Sequence, residues 1–155
     1  MNGPTRHRMI DLVVQNAANT AQLPSEKDFR LWVEAALADF AGDAAITIRL
    51  VDEAEGRELN RRFRDQDYAT NVLSFPVDVP GMIELPDLGD IVLCAPVVFR
   101  EAGEQGKDAD HHWAHLVIHA ILHLRGHDHA GHEQAVKMES AEIGILKSLG
   151  ISVPY

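Results

Sequence analysis

Trp113-Ala-His115-Leu-Val-Ile-His119-Ala-Ile-Leu-His123-Leu-Arg125-Gly126-His127-Asp128-His129 is the stretch from which the architecture follows. Its periodicity predicts a helix that starts near Asp108 or Asp110 and runs to Arg125. Apart from the histidines this helix is apolar on nearly all sides, through Trp113, Leu116, Val117, Ile118, Ile121, Leu122 and Leu124. A helix with so little face for water belongs at the centre of a fold. His119 and His123 are four residues apart, so they project from one face about 6 Å apart along the axis and their imidazoles can converge on one ion. Gly126 follows three residues later, where a left-handed residue can end the helix and fold the chain back, which would return His129 to the same ion.

An isolated histidine is more often hydrogen-bonded or solvated than a ligand. Three in this register, among nine in the chain, point to a metal site. His111 and His115 continue the same stripe backwards, but a triad of His115, His119 and His123 would span roughly 12 Å of helix axis, too far for all three to reach an ion at about 2.0 to 2.1 Å. His115 is therefore read as a residue behind the ligands or facing the substrate. His127 and His132 lack the relation to the helical pair that Gly126 gives His129, although spacing alone leaves a swap open. Imidazoles without a nearby cysteine pair suggest one Zn(II) per chain, with nickel, copper or iron as alternatives, and a fourth position left for water. A zinc-bound water titrates near about 7 and provides hydroxide for attack on a carbonyl or phosphoryl group.

The spacing His-x-x-x-His-x-x-Gly-x-x-His is also that of metzincin proteases, which carry a general-base Glu directly after the first histidine. Here that position is Ala120, and a methyl group accepts no proton. Asp128 is the nearest carboxylate, with orientation of a ligand imidazole as plausible a role as proton transfer.

The 155 residues, 46% hydrophobic and 25% charged, suit one domain over 1–155 with a sizeable core. The segment from Met1 to Arg8 lacks the apolar run of a signal peptide, no apolar run approaches membrane-spanning length, and Cys94 is the single cysteine, so a cytoplasmic protein with a buried structural thiol is expected. A formal charge of −10 argues against a general nucleic-acid binder. Against that total, Arg57, Arg61 and Arg64 fall at i, i+4 and i+7 with Arg62 adjacent, giving either a basic face or an ordinary solvated one.

Working outward, Met9 to Gln15 reads as a first strand. Ser25 caps a helix with Phe29, Trp32, Val33, Ala36, Leu37 and Phe40 in helical register up to Gly42. Ile46, Ile48 and Leu50 alternate as a second strand, and Asp52 opens a helix with Leu59 and Phe63 on its buried side. Val72 to Phe75 forms a third strand stopped by Pro76, residues 76–88 form a loop, and Ile91 to Ala95 a fourth strand. Pro96 suits the first turn of a helix ending near Gly103 to Gly106, and a last helix runs from about Gly131 to Leu149. The expectation is an α+β domain: a four-stranded mixed sheet packed against helices, with a central buried helix carrying the metal ligands.

The block from His119 to His129 resembles the signature of the YbeY family, zinc-dependent endoribonucleases that mature ribosomal RNA in bacteria. Leu59-Asn60-Arg61-Arg62-Phe63-Arg64, Thr70-Asn71-Val72-Leu73-Ser74-Phe75-Pro76 and Leu88-Gly89-Asp90-Ile91 resemble three further motifs in that family's order. The matches stretch across roughly residues 45 to 145; His127 stands where the family more often has tyrosine. The resemblance implies a metal held by His119, His123 and His129, a functional Arg64, and single-stranded RNA as substrate, with ribosomal RNA and the small ribosomal subunit as partners and no DNA or membrane. It implies an endoribonuclease acting in ribosome maturation. An open three-histidine site beside a basic face further suggests that Arg64 and His115 contact the phosphate or leaving group, with Asn71 and Ser74 as candidates to face the cleft. The competing classes are a metallopeptidase, which Ala120 speaks against, and a non-catalytic, metal-stabilised ribosome-binding module, which an open coordination position speaks against.

Overall fold

The computed structural model describes residues 9–76, 87–126 and 131–151. The loop expected over most of 76–88, the segment before Met9, and His127, Asp128 and His129 lie outside them. The elements are β1 (Ile10–Asn16), α1 (Glu26–Ala36), β2 (Ala44–Val51), α2 (Glu53–Arg64), β3 (Val72–Pro76), β4 (Asp87–Cys94), α3 (Ala95–Glu104), α4 (Ala109–Leu124) and α5 (His132–Ser148).

The sheet is mixed, in the order β1-β2-β4-β3. β2 runs parallel to both β1 and β4, while β3 is antiparallel to β4, pairing Ser74 with Ile91 and Phe75 with Asp90. Strict alternation along β2 buries Ile46, Ile48 and Leu50, as a strand with one face in the core requires. Ser25 closes α1 with a reciprocal capping box to Asp28, which satisfies two backbone donors at the helix start. Asp52 precedes α2 in extended conformation, but its carboxylate does not cap the helix. It accepts instead from the Asn19 amide at 2.9 Å and the Thr20 hydroxyl at 2.9 Å, tying the segment after β1 to the start of α2.

α4 is the central helix. Asp108 caps it by accepting from the Asp110 and His111 amides. It packs against α1, α3, α5, β3 and β4, with Trp113, Val117, Ile118 and Ile121 fully buried. The Trp113 ring meets Phe29 and Phe99 edge-on, at centroid distances of 5.9 and 5.6 Å. Burying each large side chain of this kind contributes about 1.5 to 3 kcal/mol, so α4 and the histidines it carries are held rigidly. Gly126, at φ +97°, ends the helix in the conformation its position predicts. Cys94 is buried behind Gly56 of α2, and burial pushes its thiol pKa up, as fits a packing residue rather than a nucleophile. No helix among the described residues is long and apolar enough to cross a membrane.

One expectation for α2 fails. Phe63 is 50% exposed; the buried residues of this helix are Gly56 and Asn60. Gly56 lets α2 approach Cys94, and Asn60 donates to the Tyr68 carbonyl at 2.8 Å. Leu59, the other residue expected on the buried side, is half-buried against the cluster of Val51, Leu73 and Cys94, so the contact stripe runs through Gly56, Leu59 and Asn60, and Phe63, one turn on, lies past its end.

Gly89 fixes how closely β4 approaches its surroundings. It has φ +133°, and a Cβ there would lie 2.3 Å from the Phe75 carbonyl oxygen and 3.1 Å from Leu124, the residue after His123. Gly89→Ala is expected to destabilise the fold by about 2 kcal/mol or more, from backbone strain plus the clash, read as a lower urea midpoint.

Candidate active site

Three α4 histidines, His115, His119 and His123, occupy successive turns on the edge of the helix that remains open. Ring centroids are 6.2 Å apart for His115 and His119 and 6.0 Å apart for His119 and His123. Behind them α5 presents Glu142, whose side chain is 1% exposed. Its Oε1 accepts from His119 Nδ1, and its Oε2 accepts from His115 Nε2 at 3.3 Å. With Glu142 ionised, a carboxylate that can only accept, these contacts call for protons on Nδ1 of His119 and Nε2 of His115. Burying a carboxylate costs several kcal/mol unless donors meet it, and the two imidazoles are those donors. Among the described residues, His115, His119 and Glu142 form the group whose ligand atoms lie close enough, within 4.8 Å of one another, to hold a cation.

On the other side of His119 lies a cavity of about 220 Å³ lined by Arg64, Val72, Leu73, Ser74, His119, Ala120 and His123. The helix end of α2, the strand β3 and the middle of α4 thus converge on one space. Arg64 is the last residue of α2 before Asp65, which takes a left-handed conformation at φ 57° and turns the chain away. The Arg64 guanidinium donates to the Ser74 carbonyl at 2.9 Å and the Phe63 carbonyl at 3.1 Å, and lies 5.3 Å from the centroid of Phe75. Three contacts restrict a side chain that would otherwise be free to sweep through solvent.

The expected basic face of α2 is largely neutralised. Arg57 pairs through two nitrogens with Asp67, and Arg61 with Glu58. Each hydrogen-bonded carboxylate raises its arginine's pKa, and the arginines hold Asp67 and Glu58 below the usual carboxylate range. Arg49 is likewise matched by Glu55, and Arg100 by Glu53. What remains on the cavity side is Arg64, with Arg62 beside it.

Of the residues singled out in the sequence, Arg64, His119, His123, Ser74 and Ala120 line the cavity. His115 lies against Glu142, outside that lining. Asn71 does not face the cavity; its amide donates to Glu101 at 3.0 Å, the carboxylate that also meets the buried His112. His111 and His132 are exposed and take no part in the cluster. Glu142 is the participant that sequence reasoning missed. Its signal was available: it lies four residues after Met138 and four before Leu146, both fully buried, so a carboxylate interrupts the apolar stripe of α5.

Comparison with known proteins gives the family and the fold. A family model described as endoribonuclease YbeY matches residues 13–150. The chain is 55% identical over 148 residues to an endoribonuclease YbeY from Pseudomonas syringae pv. tomato, covering 95% of this chain and 89% of that protein. It is equally similar to an endoribonuclease YbeY from Stutzerimonas stutzeri, at 55% identity over 95% of this chain and 92% of the relative. Among solved structures, a Thermotoga maritima protein studied in solution superposes with a TM-score of 0.59 and 27% identity, covering 92% of both chains.

Proposed function

The chain belongs to the YbeY family, and from that membership we propose that it is a metal-dependent endoribonuclease that hydrolyses phosphodiester bonds of single-stranded RNA. Ribosomal RNA, met on the small ribosomal subunit during its maturation in the cytoplasm, is the proposed substrate. The observation that carries this reading is the convergence of His119, His123 and Arg64 on one cavity, because phosphoryl transfer needs a cation-binding group and a phosphate clamp facing each other.

The residues fit a divalent transition metal. Two imidazoles sharing one tetrahedral ion at a metal–nitrogen distance of about 2.1 Å have centroids roughly 5 Å apart, so the His119 and His123 rings, 6.0 Å apart on adjoining turns, need only a small inward rotation to share one. Glu142 holds the proton on His119 Nδ1, which leaves the Nε2 lone pair for coordination, the usual arrangement of a ligand histidine with a carboxylate behind it. His119 and His123, completed by His129, are the proposed ligands. The cluster of His115, His119 and Glu142 is the less suitable set, since its ligand atoms already satisfy one another through hydrogen bonds. When bound, Zn(II) or a similar ion supplies Lewis acidity toward a phosphoryl oxygen and lowers the pKa of water.

The remaining roles belong to the chain itself. Arg64 binds the phosphate and stabilises the negative charge that develops on it, from a position set by Ser74 and Phe75. His115 acts through Glu142 by donating to its second oxygen and so fixing the carboxylate that orients His119. The peptidase alternative is disfavoured because Ala120, a residue of the cavity lining, stands directly after His119, where the general-base carboxylate would be needed. Arg64→Ala is expected to lower RNA cleavage by about 10²- to 10³-fold, the usual cost of one preorganised donor, without loss of bound metal. Gel-resolved cleavage of a single-stranded RNA, alongside metal analysis, checks both parts; unchanged cleavage would remove the clamp.

A further inference from the structure

Arg57, Arg61, Arg49 and Arg100 are all engaged by carboxylates, and the chain carries a net charge of −10. Counterion release from phosphates is therefore a weak source of affinity for RNA. A single strand offers another handle, the faces of its unpaired bases, which aromatic rings and guanidinium planes can stack against.

Phe63 supplies such a ring next to the cavity. It is 50% exposed at the end of α2, adjacent in sequence to Arg64. Its ring is anchored: Phe75 meets it at a centroid distance of 5.2 Å and an interplanar angle of 71°, and Phe75 itself packs on the core cluster of Val51, Leu73, Val92, Cys94 and Val97. Arg62 lays its guanidinium over the Phe63 ring at 5.3 Å, as Arg64 does over Phe75. A scattered exposed apolar residue needs no explanation. Two adjoining aromatic rings flanked by the guanidinium groups of Arg62 and Arg64, the latter lining the cavity, form a stacking surface that leads into the candidate site.

We propose that Phe63, backed by Phe75 and flanked by Arg62, is the platform on which an unpaired RNA base stacks while Arg64 holds an adjoining phosphate. The inference rests on the endoribonuclease reading and adds to it a base-binding subsite. A platform of this kind is indifferent to which base it receives and requires only that the base be unpaired, so it would make single-strandedness the property recognised. Arg62, an exposed side chain, covers the ring face and can move to sandwich the base from its outer side.

The test is binding of a dye-labelled single-stranded 2′-O-methyl RNA octamer to the full chain, followed by fluorescence anisotropy, against a ribose-phosphate octamer of the same charge with no bases. Phe63→Ala should weaken octamer binding about 5- to 100-fold, as loss of one aromatic stack does, and leave the abasic strand unaffected. Phe63→Trp should retain binding. Trp32 and Trp113 are buried, so the new indole would report stacking by quenching on addition of the octamer. Equal affinity of Phe63→Ala and the parent chain, with RNA cleavage by the parent intact, would overturn the platform alone. An equal loss on the abasic strand would also overturn it, by assigning the effect to charge. Failure of the parent chain both to bind and to cleave single-stranded RNA would overturn the endoribonuclease reading together with the platform.

Discussion

Replacing His119 and His123 together by alanine is expected to reduce cleavage of single-stranded RNA by at least about 10³-fold in kcat/KM. A metal's Lewis acidity is worth several kcal/mol in the transition state, and each 1.4 kcal/mol or so is a factor of ten. The loss should not come from unfolding. His123 is exposed and the His119 side chain is 27% exposed, whereas the stability of α4 resides in Trp113, Val117, Ile118 and Ile121 on its buried sides. The double variant should therefore stay folded, with a lowered melting point from a destabilisation of about 1 to 3 kcal/mol, because His119→Ala takes one of two donors from the buried Glu142; a His123→Ala single variant, which leaves that contact intact, should melt close to the parent. Chelation of the parent chain should reproduce the defect and restoring a divalent ion should reverse it, while the variant should not respond to added metal. Cleavage at the parental rate by the metal-free double variant would contradict the proposed mechanism.

Removing the buried carboxylate is expected to produce the second largest effect. Glu142→Gln keeps the size of the side chain but can offer only one oxygen acceptor, whereas the native carboxylate serves His119 with one oxygen and His115 with the other. Loss of a carboxylate that orients a ligand histidine costs about 10- to 100-fold in metal affinity, measurable by competition with a chromogenic chelator. Glu142→Ala should show the same affinity loss and a destabilisation of about 3 kcal/mol or more, because two imidazole donors are then left facing a cavity in the core. The Gln variant thus separates positioning from packing. If it binds metal as tightly as the parent while both variants lose stability, Glu142 is a structural residue only.

The parts of this fold that sequence revealed are those governed by local periodicity. The helix α1 with its Ser25 cap, the alternation in β2, the Pro96 start of α3 and the apolar α4 ended by Gly126 each follow from spacing within a few residues. The strand order β1-β2-β4-β3 does not, because it depends on pairings between distant segments. The site divides along the same line. His119 and His123 share a turn relation readable from their numbers, and Arg64 was reached only because a family resemblance agreed with the arginine spacing. Glu142 lies 23 residues from its closest partner, so its role exists only once α5 has docked on α4. Phe63 was misplaced for an instructive reason: hydrophobic spacing assumes that large apolar residues turn inward, while α2 lies so close to Cys94 that Gly56 and Asn60 occupy its contact face. That geometry leaves the Phe63 ring outside, next to Arg64, where an unpaired base can reach it.

Elemental analysis of four purified chains tests the central assignment most directly: the parent, the His119→Ala/His123→Ala variant, a His123→Ala variant and a His115→Ala variant, each dialysed against a weak chelator. The cavity formed by α4, α2 and β3 predicts one divalent transition-metal ion per chain in the parent, none in the double variant, and an ion retained in His115→Ala. Loss of the ion from His115→Ala with retention in His123→Ala would place the metal between His115, His119 and Glu142 instead, and would contradict the site proposed here.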